Sequence, residues 1–451
     1  MSHRRRAFLM LALGLAAGLP GCGAPRPEAL QGKVCQSMAT AGRSPYPWPD
    51  LYQSVFEAPL AVPVAGARAL TEPRVSPAPP ALTPAAQAFR ARLAAQAAQR
   101  QPPPRPGMMA VPAPPTRVLA VSAGGAWGAF SAGFLDGWGG NAVEPRPRFD
   151  VVTGVSTGSM IAPVVFLGDP ARMARLRALY EGLRNADVLT PRGTLSLLTA
   201  TSLYDNAPLR RQVAAILDED MVEAIAAESA TRMLAVMATN LDSGVPEVFD
   251  LTAIAARADM SLAERRQRMI AAIMASAALP VGFPPEFIEG DMYVDGGVRL
   301  QAFVARELQA ALAGRRLDVT VVVSGDLKVG RDCTGRDGLD LLSIAGRTAA
   351  IANDQLLRTS VAALLALGRQ PGNAARYIDA APLIDYGATV PPPGLPPPGP
   401  CKVTSDNDDL FNPAFQTCLA RGGAAMSSTT PIPWTLTVQG DRVSRGRPGG
   451  V

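Results

Sequence analysis

The chain has 451 residues, 48% of them hydrophobic, 5% aromatic and 18% charged, with 43 Pro, 5 Cys and a single His. That histidine is His3, ahead of an apolar run, which excludes a Ser-His-Asp triad, a Cys-His dyad and an imidazole-based zinc site from the body of the chain. The formal charge of +5 drops to +2 when residues 1–21, with three Arg and no acid, are set aside; no Lys/Arg run with interleaved aromatics remains, and nucleic acid is not an expected partner.

Residues 1–21 read as an export signal. Arg4, Arg5 and Arg6 precede a thirteen-residue apolar stretch, Ala7 to Leu19, too short to span a bilayer. The segment ends Leu19-Pro20-Gly21-Cys22, which resembles the lipobox of bacterial lipoproteins, with Pro20 in place of the usual small residue. The resemblance implies a lipidated Cys22 as the membrane attachment. Gly23 is not the aspartate that retains such proteins at the inner membrane, so an outer-membrane envelope lipoprotein is expected. The alternative is an ordinary secreted protein cut near Ala16-Ala17-Gly18. With Cys22 lipidated, Cys35, Cys333, Cys401 and Cys418 remain, an even number in an exported chain. Cys401 with Cys418 closes the shortest loop and is the expected pair, against the alternative of four free thiols.

Residues 22–116 do not look like a core. Twelve Pro lie between residues 73 and 115, a composition that favours polyproline II and prevents a continuous hydrogen-bonded ladder. This is a tether or wrapping arm, with one short helix from Thr83-Pro84 to Gln101. Tyr46, Trp48, Tyr52 and Phe56 pack the arm on the main domain or meet lipid.

Order begins at Arg117. Val118 to Val121 is a β-type run entering the turn Ser122 to Gly128, followed by a helical stretch Ala129 to Trp138. Strand, glycine turn and helix make an anion-binding geometry, because glycines free backbone N–H groups and the helix N-terminus adds positive potential. Neither GxxxxGK[ST] nor GxGxxG is present, so the anion suits a transient oxyanion better than a nucleotide phosphate. A second strand, Phe149 to Val152, leads into Gly154-Val155-Ser156-Thr157-Gly158 and the apolar stretch Ser159 to Leu167. That is a nucleophile elbow in its required context, against the alternative of a glycine-rich turn with an incidental serine.

A serine nucleophile without histidine needs another base. Asp295 in Tyr293-Val294-Asp295-Gly296-Gly297 ends a β-type pair and is followed by two glycines that permit close approach; an Asx turn is the plainer use of Asp-Gly. Lys328 is the lesser candidate, since its surroundings are polar and nothing evident lowers its pKa.

Taken in order, Ser122-Ala123-Gly124-Gly125-Ala126-Trp127-Gly128, Gly154 to Gly158 and Asp295-Gly296-Gly297 resemble the patatin-like phospholipase family, particularly its bacterial lipoprotein members. Tyr204 to Leu209 and Ala275-Ser276-Ala277-Ala278-Leu279-Pro280 look like further family segments. The resemblance covers residues 117–434 and implies a three-layer α/β/α fold with a mostly parallel central sheet. It puts the catalytic dyad on Ser156 and Asp295 and the oxyanion hole on Gly124, Gly125 and Ala126, with Gly128, Gly154, Gly158, Gly296 and Gly297 in support. Ala123 replaces the usual first glycine of the oxyanion turn, and Trp127 stands where many members carry Arg or Lys. Trp127 either lines an acyl entrance or packs.

The chemistry implied is two-step acyl transfer to water, with lipid esters, phospholipid among them, as substrate and no cofactor. An aspartate near its ordinary pKa of about 4 is a weak base, so oxyanion stabilisation and the helix dipole are expected to carry much of the rate. A non-catalytic lipid-binding lipoprotein and a general esterase or thioesterase are the competing readings.

Helices are expected over Pro170 to Gly182 behind Asp169, Pro208 to Ala227, Arg265 to Ala278, Leu339 to Leu367 and Phe411 to Met426, with strands at Met233 to Ala238, Val248-Phe249 and Val319 to Val323. The long helix is read as core, because Arg347, Asp354 and Arg358 interrupt its apolar run. A Pro-rich insertion occupies 390–400, and 435–451 is read as a tail. Asp406, Asp408 and Asp409 resemble a fragment of a calcium loop without its glycine and distal glutamate, so no metal is expected.

Overall fold

The computed structural model describes Gln87, Ala91 and residues 114–193, 200–304, 315–327, 341–385, 399–402 and 410–445. Outside these lie Cys22, Cys35, Cys333, Lys328, Asp406, Asp408 and Asp409, nearly all of the 22–116 arm, and residues 390–398 of the insertion. Gln87 and Ala91 are helical, within the stretch of the arm expected to be helix.

In chain order the first elements are β1 (Thr116–Val121), α1 (Gly128–Gly139), β2 (Val151–Gly154), α2 (Thr157–Leu167), α3 (Pro170–Gly182), α4 (Asn185–Val188), β3 (Thr190–Pro191) and β4 (Tyr204–Asp205). There follow α5 (Ala207–Ile216), α6 (Glu219–Glu228), β5 (Met233–Asn240), β6 (Pro246–Asp250), α7 (Leu251–Ala255), α8 (Leu262–Ser276), β7 (Glu286–Ile288) and β8 (Asp291–Asp295). The last are β9 (Leu317–Val322), α9 (Leu341–Ala366), β10 (Ala374–Ile378), β11 (Ile384–Asp385), β12 (Cys401–Lys402), α10 (Pro413–Ser428), β13 (Leu436–Gln439) and β14 (Arg442–Arg445).

β10, β9, β1, β2 and β5 lie side by side and parallel, and antiparallel strands complete both edges. The central strands are buried on both faces, as parallel sheets with covered faces require. Alternation sends Leu119 and Val121 into a core with α1, α2, α3, α8 and α10, while Val118 and Ala120 join Val319, Val321, Val361 and Leu365 on the α9 side. The result is a three-layer α/β/α architecture with a parallel centre. α9 packs its second half as core, with Arg358 and Asp354 half-buried and paired at 3.0 Å. None of the described helices is long and apolar enough to cross a membrane.

β5 is long enough to pair β2 through Met233–Val236 and β8 through Ala238–Asn240. β8 therefore enters where β2 has ended and delivers Asp295, opposite Ala238, beside the turn that follows β2. On the outer layer α10 lies against α1 with backbones in close approach: a Cβ on Gly133 would stand 2.0 Å from the Ala420 carbonyl oxygen, and one on Gly423 2.6 Å from that of Phe130. The Cys401–Cys418 pair is made and ties α10 to β12.

Two expectations are corrected. The single helix over 208–227 is two helices, because Asp218 is extended and its carboxylate takes the Met221 N–H at 2.8 Å, starting α6 as an N-cap. The segment 435–451 is not simply a tail: Leu436 and Val438 are buried, and residues 436–445 add β13 and β14 antiparallel to the sheet beyond β10. Asp169 caps α3 as expected, accepting from the Arg172 N–H at 2.8 Å.

Candidate active site

The turn after β2 carries the molecule's central strain. Ser156 has φ +53°, in the region that side chains of L-residues avoid, and stands as N-cap of α2. The glycines around it serve close approach: a Cβ on Gly154 would lie 2.3 Å from the Gly158 oxygen, and one on Gly158 2.3 Å from the Val121 oxygen. The tight turn packs on the end of β1 and lifts Ser156, half-buried, to the positive end of a helix. Two serines brace it: the Ser156 N–H donates to Ser276 Oγ at 3.0 Å, and Ser159 Oγ donates to the Ser156 carbonyl at 2.6 Å.

Asp295 is 4% exposed. Its backbone N–H donates to the Ala278 carbonyl at 2.9 Å, and its Oδ1 accepts the Gly297 N–H at 2.7 Å. The Ser156 side chain acts on the Asp295 carboxyl, favouring its ionised form. Gly296 is needed here because a Cβ would come within 2.3 Å of the Met237 oxygen and 3.1 Å of Val155 Cγ1. Burial pushes the carboxyl up to about 6, against the lowering pull of the Ser156 side chain and of the Gly297 N–H bond. The expectation of an ordinary, weakly basic aspartate is therefore corrected: desolvation raises its proton affinity by about two decades.

The turn after β1 lies alongside, since the Val155 N–H donates to the Val121 carbonyl at 3.3 Å. Positive φ falls on Gly124 and Gly125, at 157° and 54°. Gly124 also admits the end of β9, for a Cβ there would sit 1.7 Å from the Ser324 oxygen. Gly125 to Trp127 form a short 3₁₀ turn leading into α1. The first N–H groups of such a turn have no partner within it and remain available to an oxyanion. Ala123 does not restrict the turn: it is buried, keeps negative φ, and its N–H donates to the Gln301 carbonyl at 2.8 Å. Gly128 meets the elbow, with room for no Cβ beside Thr157 Oγ1 at 2.3 Å. Trp127 is half-buried and packs edge-on to Phe415 of α10, ring centroids 5.3 Å apart, so its observed contact is a packing one.

The structure thus brings Ser156, Asp295 and the Gly124–Ala126 turn to one end of the sheet. It adds residues that the motifs do not name. Gln301 joins two of the turns, its carbonyl taking the Ala123 N–H while its Nε2 donates to the Gly297 oxygen at 2.9 Å. Ser122 Oγ accepts the Ser324 N–H at 2.8 Å, and Ser324 Oγ bonds Ser131 Oγ at 2.8 Å, fixing the β9 end under Gly124. Ser276 belongs to a segment that stands out only for its family look; nothing local marks it as a brace.

Among known proteins, the family model described as patatin-like phospholipase matches residues 119–306. No sequence among the curated proteins matches. Among solved structures, VipD from Legionella pneumophila is similar at 12% identity and a TM-score of 0.37, over 70% of this chain and 67% of its own. Human GIVD cytosolic phospholipase A2, solved with methyl gamma-linolenyl fluorophosphonate, is similar at 12% identity and a TM-score of 0.32; 77% of this chain is covered but only 62% of the human one.

Proposed function

From a chain whose residues 119–306 match the patatin-like phospholipase family, we propose a serine-dependent lipid acyl hydrolase working through a Ser156–Asp295 dyad. The observation that carries the reading is the buried Asp295, its carboxyl raised by burial and pulled down by the Ser156 side chain, with Ser156 itself strained at a helix N-terminus. A carboxylate with a pKa of about 6 is ionised at neutral pH and still basic enough to take a proton in the transition state.

In acylation Ser156 Oγ attacks the ester carbonyl carbon and its proton passes to Asp295. Backbone N–H groups of Gly124, Gly125 and Ala126 hold the developing oxyanion. Collapse of the tetrahedral intermediate breaks the bond to the alcohol, which leaves with the proton from Asp295. In deacylation Asp295 takes a proton from water as it attacks the acyl-enzyme, then returns it to Ser156. Esters suit this site better than amides, because an alkoxide leaves more readily than an amide anion and one carboxylic acid serves both departures. The substrate class is a lipid ester, phospholipid being the one the family name points to; attachment to an outer membrane through Cys22 supplies such substrates at close range.

The test is mass-spectrometric reaction of the purified protein with a fluorophosphonate. Labelling at Ser156, lost in Ser156→Ala together with ester hydrolysis while the circular dichroism spectrum is kept, is the expected result. A Ser156→Ala variant that retained most hydrolysis would reject the assignment. A protein that binds lipid vesicles but never labels would be the non-catalytic lipoprotein instead.

A further inference from the structure

The end of α8 and the residues just past it hold both members of the dyad, Ser276 bracing Ser156 and the Ala278 carbonyl taking the Asp295 N–H. The chain then turns outward. Leu279 is 56% and Val281 70% exposed, and Val281 has φ +70°. A β-branched residue in that region is a genuine outlier, and such strain persists only where the surroundings impose it. They do: Leu203 N–H donates to the Val281 carbonyl at 2.8 Å, Tyr204 N–H to that of Gly282 at 3.0 Å, and Phe283 N–H to that of Leu279 at 2.8 Å. Folding gains nothing from a strained backbone that presents an apolar side chain to water.

On the other side of Asp295, directly after Gly297, Val298 and Leu300 are also exposed, and between them stands Arg299, exposed and without a carboxylate partner among the described residues. Exposed apolar side chains on the two segments that adjoin Asp295, with a guanidinium among them, match the two chemistries of a phospholipid surface: acyl chain below, phosphate above.

We propose that Leu279 and Val281, in the loop after Ala278, and Val298, Arg299 and Leu300, directly after Gly297, form the surface that seats this protein on an anionic phospholipid bilayer. The inference rests on the reading of Ser156 and Asp295 as a lipid hydrolase and names how that site meets its substrate. Seating buries Leu279 and Val281 in the acyl boundary, sets Arg299 against lipid phosphates, and leaves Ser156 at the depth of the ester bonds.

The experiment compares the full chain and its variants on phosphatidylglycerol vesicles, phosphatidylcholine vesicles and soluble p-nitrophenyl butyrate. Asn tolerates the left-handed region, so Val281→Asn relieves strain while removing the apolar contact. Its melting temperature is expected to hold or rise as its hydrolysis of phosphatidylglycerol vesicles falls about tenfold and butyrate hydrolysis stays within about twofold. Arg299→Gln is expected to lower phosphatidylglycerol hydrolysis several-fold and leave phosphatidylcholine hydrolysis unchanged. Equal losses on vesicles and butyrate would overturn the proposal, since the loop would then serve the dyad alone. Unchanged vesicle hydrolysis in both variants would also overturn it and give the surface to another occupant, a second copy or a segment of the 22–116 arm. Absence of Ser156-dependent butyrate hydrolysis and fluorophosphonate labelling in the unsubstituted protein is a separate failure, that of the dyad itself.

Discussion

The turns after β1 and β2 are neighbours, both rich in glycine, and they treat strain in opposite ways. After β1 the positive φ angles fall on Gly124 and Gly125, where they cost little. After β2 the glycines keep ordinary φ and serve only close packing, while the positive φ falls on Ser156, which has a side chain. A turn that offers only N–H groups is free to relax; one that must aim an oxygen holds its working residue in a conformation the neighbours impose.

Asp295→Asn tests the strained side of that contrast and should have the largest effect. The amide still accepts the Gly297 N–H but takes no proton, so kcat/KM for ester hydrolysis is expected to fall by about two decades or more. Turnover of the unsubstituted protein should rise with pH through about 6 as Asp295 ionises, a carboxylate step in the range usually given to imidazole. Stability moves the other way. Because the folded carboxyl binds its proton more tightly than the unfolded one, its contribution is complete below about pH 4 and is lost as pH rises through about 6. Asp295→Asn is therefore expected to be more stable than the parent above pH 7, by about 3 kcal/mol at most, with the two converging near pH 4 in urea titrations.

Gly124→Ala comes next. Its Cβ would collide with the Ser324 oxygen, so the β9 end or the turn must move, costing about 1–3 kcal/mol and about tenfold or more in turnover. Ser276→Ala removes the acceptor of the Ser156 N–H; a loss of about 1–3 kcal/mol is expected, with fluorophosphonate labelling slowed and KM little changed. Gly125→Ala should be mildest, because nothing lies within 4 Å of its Cβ and only the backbone angle of 54° resists, about 1 kcal/mol in thermal melts. Equal costs for Gly124→Ala and Gly125→Ala would break the distinction between close approach and conformational freedom.

The parts of this site legible in the sequence are those whose reasons are local. Gly154 meets Gly158 four residues on, and Asp295 binds the N–H of Gly297 two residues on, so the motifs contain their own explanations. The braces reach across the fold. Ser276 to Ser156, Gln301 to Ala123 and Ser324 to Ser122 each join distant stretches, and no spacing announces them. The raised pKa of Asp295 is illegible for the same reason, since burial is a property of what β5 and α8 bring around it. In the fold, the break at Asp218 is marked by an acid followed by Glu219 and Asp220, and the helical period on either side outweighs it. The β13 strand is only four residues long, too short for its alternation to stand out.

The glycine seam between α1 and α10 sets an order of events. The helix that carries the oxyanion turn is shaped to receive a backbone that lies far along the chain, Gly133 against Ala420, and Trp127 meets Phe415 across the same distance. Contacts so distant along the chain form late. A polypeptide can hold the elbow sequence before α10 has docked, and the oxyanion turn that the proposed lipid-cleaving activity requires is finished only when that distant helix is in place.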